Sequence, residues 1–199
     1  MEKRSINFEL RAKKDSRTIF GTATVFNSSY DMGWYDEEMS ADSLNEADMK
    51  DVVALFNHDM NMVLARTSSG TLKLNVTGNA MEYEFEAPNT TLGNDLLEMV
   101  KRGDVYQSSF AFTVEAEDWQ ERQGMKPKRV IRSIKKVYDV SPVTYPANPD
   151  TMVAKRSYDA TKQIDEDLQK VIDISVKSEI NIQNELRRNA LHLLNLKTK

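Results

Sequence analysis

Ser109, His58 and Asp139 are the residues of this 199-residue chain whose types could together perform acyl transfer. A serine hydroxyl is a weak nucleophile until a base takes its proton. An imidazole can take and return that proton, and a carboxylate can hold the ring in the tautomer required. The supply of such groups is short, since His58 and His192 are the only histidines and cysteine is absent. The lack of cysteine removes disulfides, thiolate zinc sites and a cysteine nucleophile together, and it fits a reducing compartment. Each of the three residues also has a plainer reading. His58, between Asn57 and Asp59, can be a structural histidine at a strand end. Asp139 stands in Val137-Tyr138-Asp139-Val140-Ser141, where an acid among apolar neighbours is costly unless paired, and a lysine could pair it. Spacing alone is weak support, because triads converge in space and not in sequence.

Something must hold these residues. Ser109 lies in Gln107-Ser108-Ser109-Phe110-Ala111-Phe112, which reads as an extended segment from Val105 to Val114. Tyr106, Ser108, Phe110, Phe112 and Val114 form one face suited to a core. Val105, Gln107, Ser109, Ala111 and Thr113 form a smaller, more polar face that would leave the Ser109 hydroxyl open. Val52 to Phe56 is a short continuous apolar run, consistent with a central strand that delivers His58 at its end. Val130 to Val143 reads as a strand carrying Asp139, returning from a polar hairpin loop over Trp119 to Lys128 and stopped by Pro146 and Pro149.

The remaining elements follow from the same periodicities. Ile6, Phe8, Leu10 and Ala12 alternate as one strand, Thr18 to Phe26 forms another, and Gly21 within it suggests a bulge or a close backbone approach. Asn27 to Tyr35 reads as irregular loop, and Asp36 to Lys50 as acidic loop with a helical turn or two. A strand starts at Val63. Leu72, Leu74 and Val76 pair with Met81, Tyr83 and Phe85 across Thr77-Gly78-Asn79, a strong hairpin signal. From Thr91 the spacing is helical, with Gly103 at the C-cap position, Asp95 near the start and Lys101-Arg102 at the end. Beyond Lys155 the composition shifts: Ser157 to Lys199 has no Gly, Pro, Phe or Trp. That defines a charged helical extension, 156–199, following a core domain, 1–155. Ile172, Ile174 and Val176 alternate like a strand and leave the continuity of that helix open.

A net charge of −4 argues mildly against nucleic acid as the main partner. The opening residues have no apolar signal core, and no run reaches the roughly 18 apolar residues of a membrane span. The expectation is a soluble, intracellular protein with no membrane association.

Several motifs, in order, resemble the HK97-type phage prohead protease family. They are Phe56-Asn57-His58-Asp59, Val63-Leu64-Ala65-Arg66-Thr67, Ser109-Phe110-Ala111-Phe112, and the block Asp139-Val140-Ser141-Pro142-Val143-Thr144-Tyr145-Pro146-Ala147-Asn148-Pro149. Phe20-Gly21-Thr22-Ala23 with Val25-Phe26-Asn27 resembles the family's N-terminal strand motif, so the likeness covers roughly residues 5 to 155. The resemblance implies Ser109 as nucleophile, His58 as general base and Asp139 as orienting acid. It implies an α+β fold: a small β-barrel-like core of mostly antiparallel strands wrapped by helices, akin to the herpesvirus assembly proteases, with the C-terminal helical tail appended. Those enzymes use a second histidine in the third position, and this chain has none near residue 139. Ala65 and Ala111 stand where glycine is more usual, which would tighten any close approach of substrate backbone.

The implied activity is that of a serine endopeptidase without cofactor or metal. It would cleave scaffold and major capsid protein, and itself, inside the immature phage prohead in the host cytoplasm. The alternative is a catalytically idle assembly or scaffolding protein that keeps the fold and acts through its tail. Other candidates are weaker. Ser108 would point into the apolar face, Ser141 reads as a hydrogen-bonding core residue, and His192 falls in the charged tail as a solvated side chain. Asp59 would point away from His58 if both lay on one strand. The run Lys126, Lys128, Arg129, Arg132, Lys135 and Lys136 reads as a solvated hairpin, because no aromatic platform interleaves it for nucleic acid.

Overall fold

A computed structural model of the chain describes residues 1–6, 10–14, 16–145 and 151–197. It divides into two compact units, Met1–Thr151 and Met152–Lys199. The first unit runs β1 (Glu2–Ile6), β2 (Leu10–Ala12), β3 (Thr18–Val25), β4 (Ser29–Asp31), β5 (Asp36–Met39), β6 (Val53–Phe56), β7 (Asp59–Arg66), β8 (Leu72–Val76), β9 (Ala80–Glu86), α1 (Thr91–Arg102), β10 (Gln107–Gln120) and β11 (Lys128–Val143). The second is the single helix α2 (Thr151–Lys197).

The strands form a seven-stranded sheet, in the order β1-β10-β11-β5-β4 with β6 pairing β11 and β7, and a four-stranded sheet, β2-β3-β9-β8. Pairing is antiparallel except where β11 meets β5 and β6. The α+β class with mostly antiparallel strands therefore holds. Closure does not: the sheets are open, and among the described residues α1 is the only helix of this unit. The expected strand over Ile6–Ala12 is divided, β1 joining one sheet and β2 the other, with residues 7–9 outside those described.

Local patterning explains most of the rest. In β9 Met81, Tyr83 and Phe85 are buried, and their polar neighbours face outward. The Thr77 hydroxyl accepts the Ala80 amide to close the β8–β9 turn. Helix α1 starts where the Thr90 hydroxyl accepts the Gly93 amide, and it ends at Gly103, whose φ of +80° suits glycine. Its first turn has no acid, so Asp95 lies too far along to cap the dipole as expected, while Lys101 and Arg102 do occupy the last turn. Gly21 answers to close approach. A Cβ there would sit 2.2 Å from the Tyr83 ring. Tyr83 uses that space to bring its buried phenol within 2.8 Å of the Ser108 hydroxyl, tying the four-stranded sheet to β10.

Three loops expected from sequence are partly strand. Asp36 to Met39 forms β5 and Ser29 to Asp31 forms β4, although neither has apolar alternation. The acids of β5 find distant cations instead: Asp36 meets Arg122, Glu37 meets Arg4 and Arg129, and Glu38 meets Lys128. The Trp119–Lys128 loop narrows, because β10 continues to Gln120. Strand β7 begins at Asp59, four residues before Val63, since its register with β6 starts at Phe56 opposite Asp59.

In α2 the alternation of Ile172, Ile174 and Val176 gives way to unbroken helix, on which Ile164, Leu168, Val171 and these three are exposed. No helix among the described residues is long and apolar enough to cross a membrane.

Candidate active site

The strand β6 and its partner β7 are joined by Asn57 and His58, both with positive φ, 54° and 57°. Two consecutive left-handed residues make the tight hairpin turn whose twist matches its strands, and asparagine is among the residues that accept it. Histidine, too, is among the non-glycine residues enriched there. The turn is fixed to the end of β11 by three hydrogen bonds. The Asn57 amide donates to the Pro142 carbonyl (3.0 Å), its side-chain amide donates to the Thr144 hydroxyl (3.2 Å), and its side-chain oxygen accepts the Thr144 amide (2.9 Å). The His58 ring is thereby carried over the β10–β11 ribbon.

There the ring nitrogens are divided between two partners. His58 Nδ1 lies 2.6 Å from Asp139 Oδ1, and Nε2 lies 2.7 Å from Ser109 Oγ. The side chains of His58 and Asp139 are 5% and 7% exposed. With Nδ1–H donated to the carboxylate, Nε2 is left as the acceptor for the serine proton. Asp139 accepts a second hydrogen bond, from the Ser141 hydroxyl at 2.7 Å. Ser141 is fully buried, and that donor helps to hold an acid that sits inside a sheet.

The alternatives separate cleanly. Ser108 is turned away, bonded to Tyr83. The Asp59 carboxylate accepts the backbone and side-chain amides of Asn61 instead of the His58 ring. The side chain of His192 lies outside the described residues, as does the backbone of residues 146–150 at the end of the distinctive C-terminal block.

Two expectations need correction. The face of β10 that carries Ser109 is not open. Ser109, Ala111, Gln107 and Val105 are all buried, whereas Tyr106, assigned to the core, is 55% exposed. On that face the His58 ring meets Ser109, while β1 closes the neighbouring edge, pairing along β10 with Ser5 opposite Ser109 and Lys3 opposite Ala111. The Ser109 hydroxyl reaches the Arg4 carbonyl at 2.9 Å. Sequence reasoning missed this because the alternation of a strand says which residues share a face and nothing about what lies over it.

The basic run is also not a wholly solvated hairpin. Lys126, Lys128, Arg132, Lys135 and Lys136 each meet an acid: Asp31, Glu38, Asp118, Glu115 and Asp48. Arg129 is buried and bonds Glu2, Glu37 and Glu117. Its environment, with Glu2 alongside, favours the charged forms of both. Burial alone would raise the Glu2 carboxyl. The hydrogen bond from Arg129 and the charges of Arg4 and Arg129 outweigh that and hold it below the ordinary carboxylate value.

A serine hydroxyl, an imidazole and a carboxylate in this order suit acyl transfer, and comparison with known proteins points the same way. A protein-family model described as caudovirus prohead serine protease matches residues 6–164 of the 199. The chain belongs to this family. No curated protein and no solved structure matches it. Ser109, His58 and Asp139 all fall within the stretch that aligns with the prohead serine proteases, and most of α2 falls beyond it.

Proposed function

We propose that the chain is a serine endopeptidase that cleaves scaffold and capsid protein, and itself, inside the immature phage prohead during capsid maturation. Ser109 is the nucleophile, His58 the general base and Asp139 the acid that orients the ring. The observation that carries this reading is the continuous hydrogen-bonded path from Ser109 Oγ through both ring nitrogens of His58 to Asp139, within a chain of the prohead serine protease family.

The chemistry follows from that path. His58 Nε2 takes the Ser109 proton as Oγ adds to the substrate carbonyl carbon, and Asp139 stabilises the imidazolium that forms. The tetrahedral adduct then collapses, and Nε2 returns the proton to the departing amine. Water, deprotonated by the same nitrogen, next hydrolyses the ester on Ser109 and restores the free hydroxyl. The partners on this reading are capsid and scaffold protein, and the place of action is the prohead within the host cell.

The test is labelling with a serine-directed phosphonate, followed by peptide mapping. Covalent adduct on Ser109 that disappears in His58→Ala is the expected result. A folded protein that never labels would instead favour the idle assembly protein.

A further inference from the structure

Strand β1 is the edge of the seven-stranded sheet, and it lies along the residues that follow Ser109. The pairing is antiparallel, with Arg4 opposite Phe110, Lys3 opposite Ala111 and Glu2 opposite Phe112. The other edge of β10 is taken by β11. A polypeptide that reached Ser109 by adding a strand to this sheet would therefore have to use the edge β1 now holds. Ser109 is 0% exposed with that edge filled. Ser109 also has one hydroxyl proton and two acceptors, His58 Nε2 at 2.7 Å and the Arg4 carbonyl at 2.9 Å. While the proton is given to Arg4 it is not given to the base.

The Arg4 side chain shows what such a groove selects. Directly opposed residues of an antiparallel pair share a face, so Arg4 extends on the Phe110 side, away from the Ser109 hydroxyl. It enters a formed pocket. Glu37 grips it at two points, Nε to Oε1 and Nη2 to Oε2, the second at 2.8 Å. The Phe112 ring centroid lies 5.6 Å from its guanidinium carbon. The phenol of Tyr35 is buried beside these charges, pushed up to about 12 by burial and by Glu37, and its hydroxyl has no hydrogen-bond partner among the described residues. A two-point carboxylate under an aromatic face matches the planar guanidinium better than it matches an ammonium.

On the reading that Ser109 is the nucleophile, we infer that β1 is a built-in occupant of the substrate groove. Substrate adds to β10 as β1 does, with an arginine in the place of Arg4 immediately before the cleaved bond and Glu37 as the carboxylate that recognises it. Docked β1 excludes substrate and diverts the serine proton, so proteolysis requires β1 to leave. A structural edge strand would need no carbonyl on the candidate nucleophile and no arginine pocket beside it.

The experiment uses the full chain, Arg4→Ala, Arg4→Lys and Glu37→Gln. Each is checked for fold by circular dichroism. A fluorophosphonate probe measures access to Ser109. Arg4→Ala removes one cation from a buried cluster of three carboxylates, so β1 should undock and the labelling rate should rise about tenfold, with Arg4→Lys in between. Fluorogenic amides of Glu-Lys-Arg, Glu-Lys-Ala and Glu-Lys-Glu then measure selection, in the unaltered chain and in Arg4→Ala. The arginine peptide should be cut at least about tenfold faster than the others, and Glu37→Gln should erase that preference. If Arg4→Ala does not fold, the peptide preference of the unaltered chain and its loss in Glu37→Gln decide the matter. Labelling at one common rate, with indifference to the residue before the cut, overturns this inference and leaves the protease standing. Absence of any label on Ser109 in every folded protein overturns both.

Discussion

The β10–β11 ribbon has two ends that handle polar groups in opposite ways. At the end where β10 begins, Ser109, Asp139 and Ser141 lie within the sheet and are buried, and Ser109 Oγ, Asp139 Oδ1 and Ser141 Oγ are hydrogen-bonded to partners within the protein. At the far end, Arg132 meets Asp118 and Lys135 meets Glu115 with their side chains about half exposed. Both ends are hydrogen-bonded, but water is available as a replacement partner only at the second. A pair in water can be lost at little cost, whereas a buried donor or carboxylate left alone keeps its full desolvation penalty. Arg129 shows that position on the ribbon does not decide this. It lies at the far end, yet it is enclosed by Glu2, Glu37 and Glu117 and belongs energetically with the buried group.

The contrast predicts a graded series of effects. Ser109→Ala and His58→Ala should each lower peptide hydrolysis by about 10⁴-fold or more, and the double variant should be little worse than either, because the groups act as a unit. Retained turnover in Ser109→Ala, with Ser108→Ala inactive, would move the nucleophile to the neighbouring residue. Next in size, Arg129→Met should cost about 3 to 5 kcal/mol of stability in chemical denaturation, since it leaves buried carboxylates without their cation. A loss under 1 kcal/mol would mean that the cluster reorganises or is hydrated.

Ser141→Ala should be smaller again. It removes one hydrogen bond to Asp139, so kcat should fall about tenfold with KM little changed. Equal loss in a substrate-binding measurement would argue for a structural role instead. Acid should then act on the N-terminal strand. The Glu2 carboxyl is held below its ordinary value in the folded chain, so its contribution to stability is present above the unfolded value and is lost as pH falls through the folded one. Amide exchange in β1 should accelerate in that acid window ahead of β9, and Arg129→Met should remove the difference. Smallest of all, Arg132→Ala should change stability by no more than about 0.5 kcal/mol. A larger effect at this exposed pair would erase the distinction between the ribbon's ends.

Elements whose reason for forming is local were legible in the residues. The β8–β9 hairpin follows from alternation on either side of a turn, and α1 follows from its apolar spacing between Thr90 and Gly103. The residues of the candidate site were also legible, by motif and by resemblance. Tertiary structure alone decided what those residues face. Strand β5 is acidic and has no pattern of its own, and it exists because Arg4, Arg122, Lys128 and Arg129 arrive from elsewhere in the chain. The Ser109 side was expected to be open and is closed: His58 reaches it from the β6–β7 turn, and β1 comes from the far end of the sequence to pair along the edge of β10. The physical reason is the same in both cases. Periodicity records which side chains share a face, over a few residues, while the partner on that face is set by pairings between segments about a hundred residues apart, as with Arg4 and Phe110.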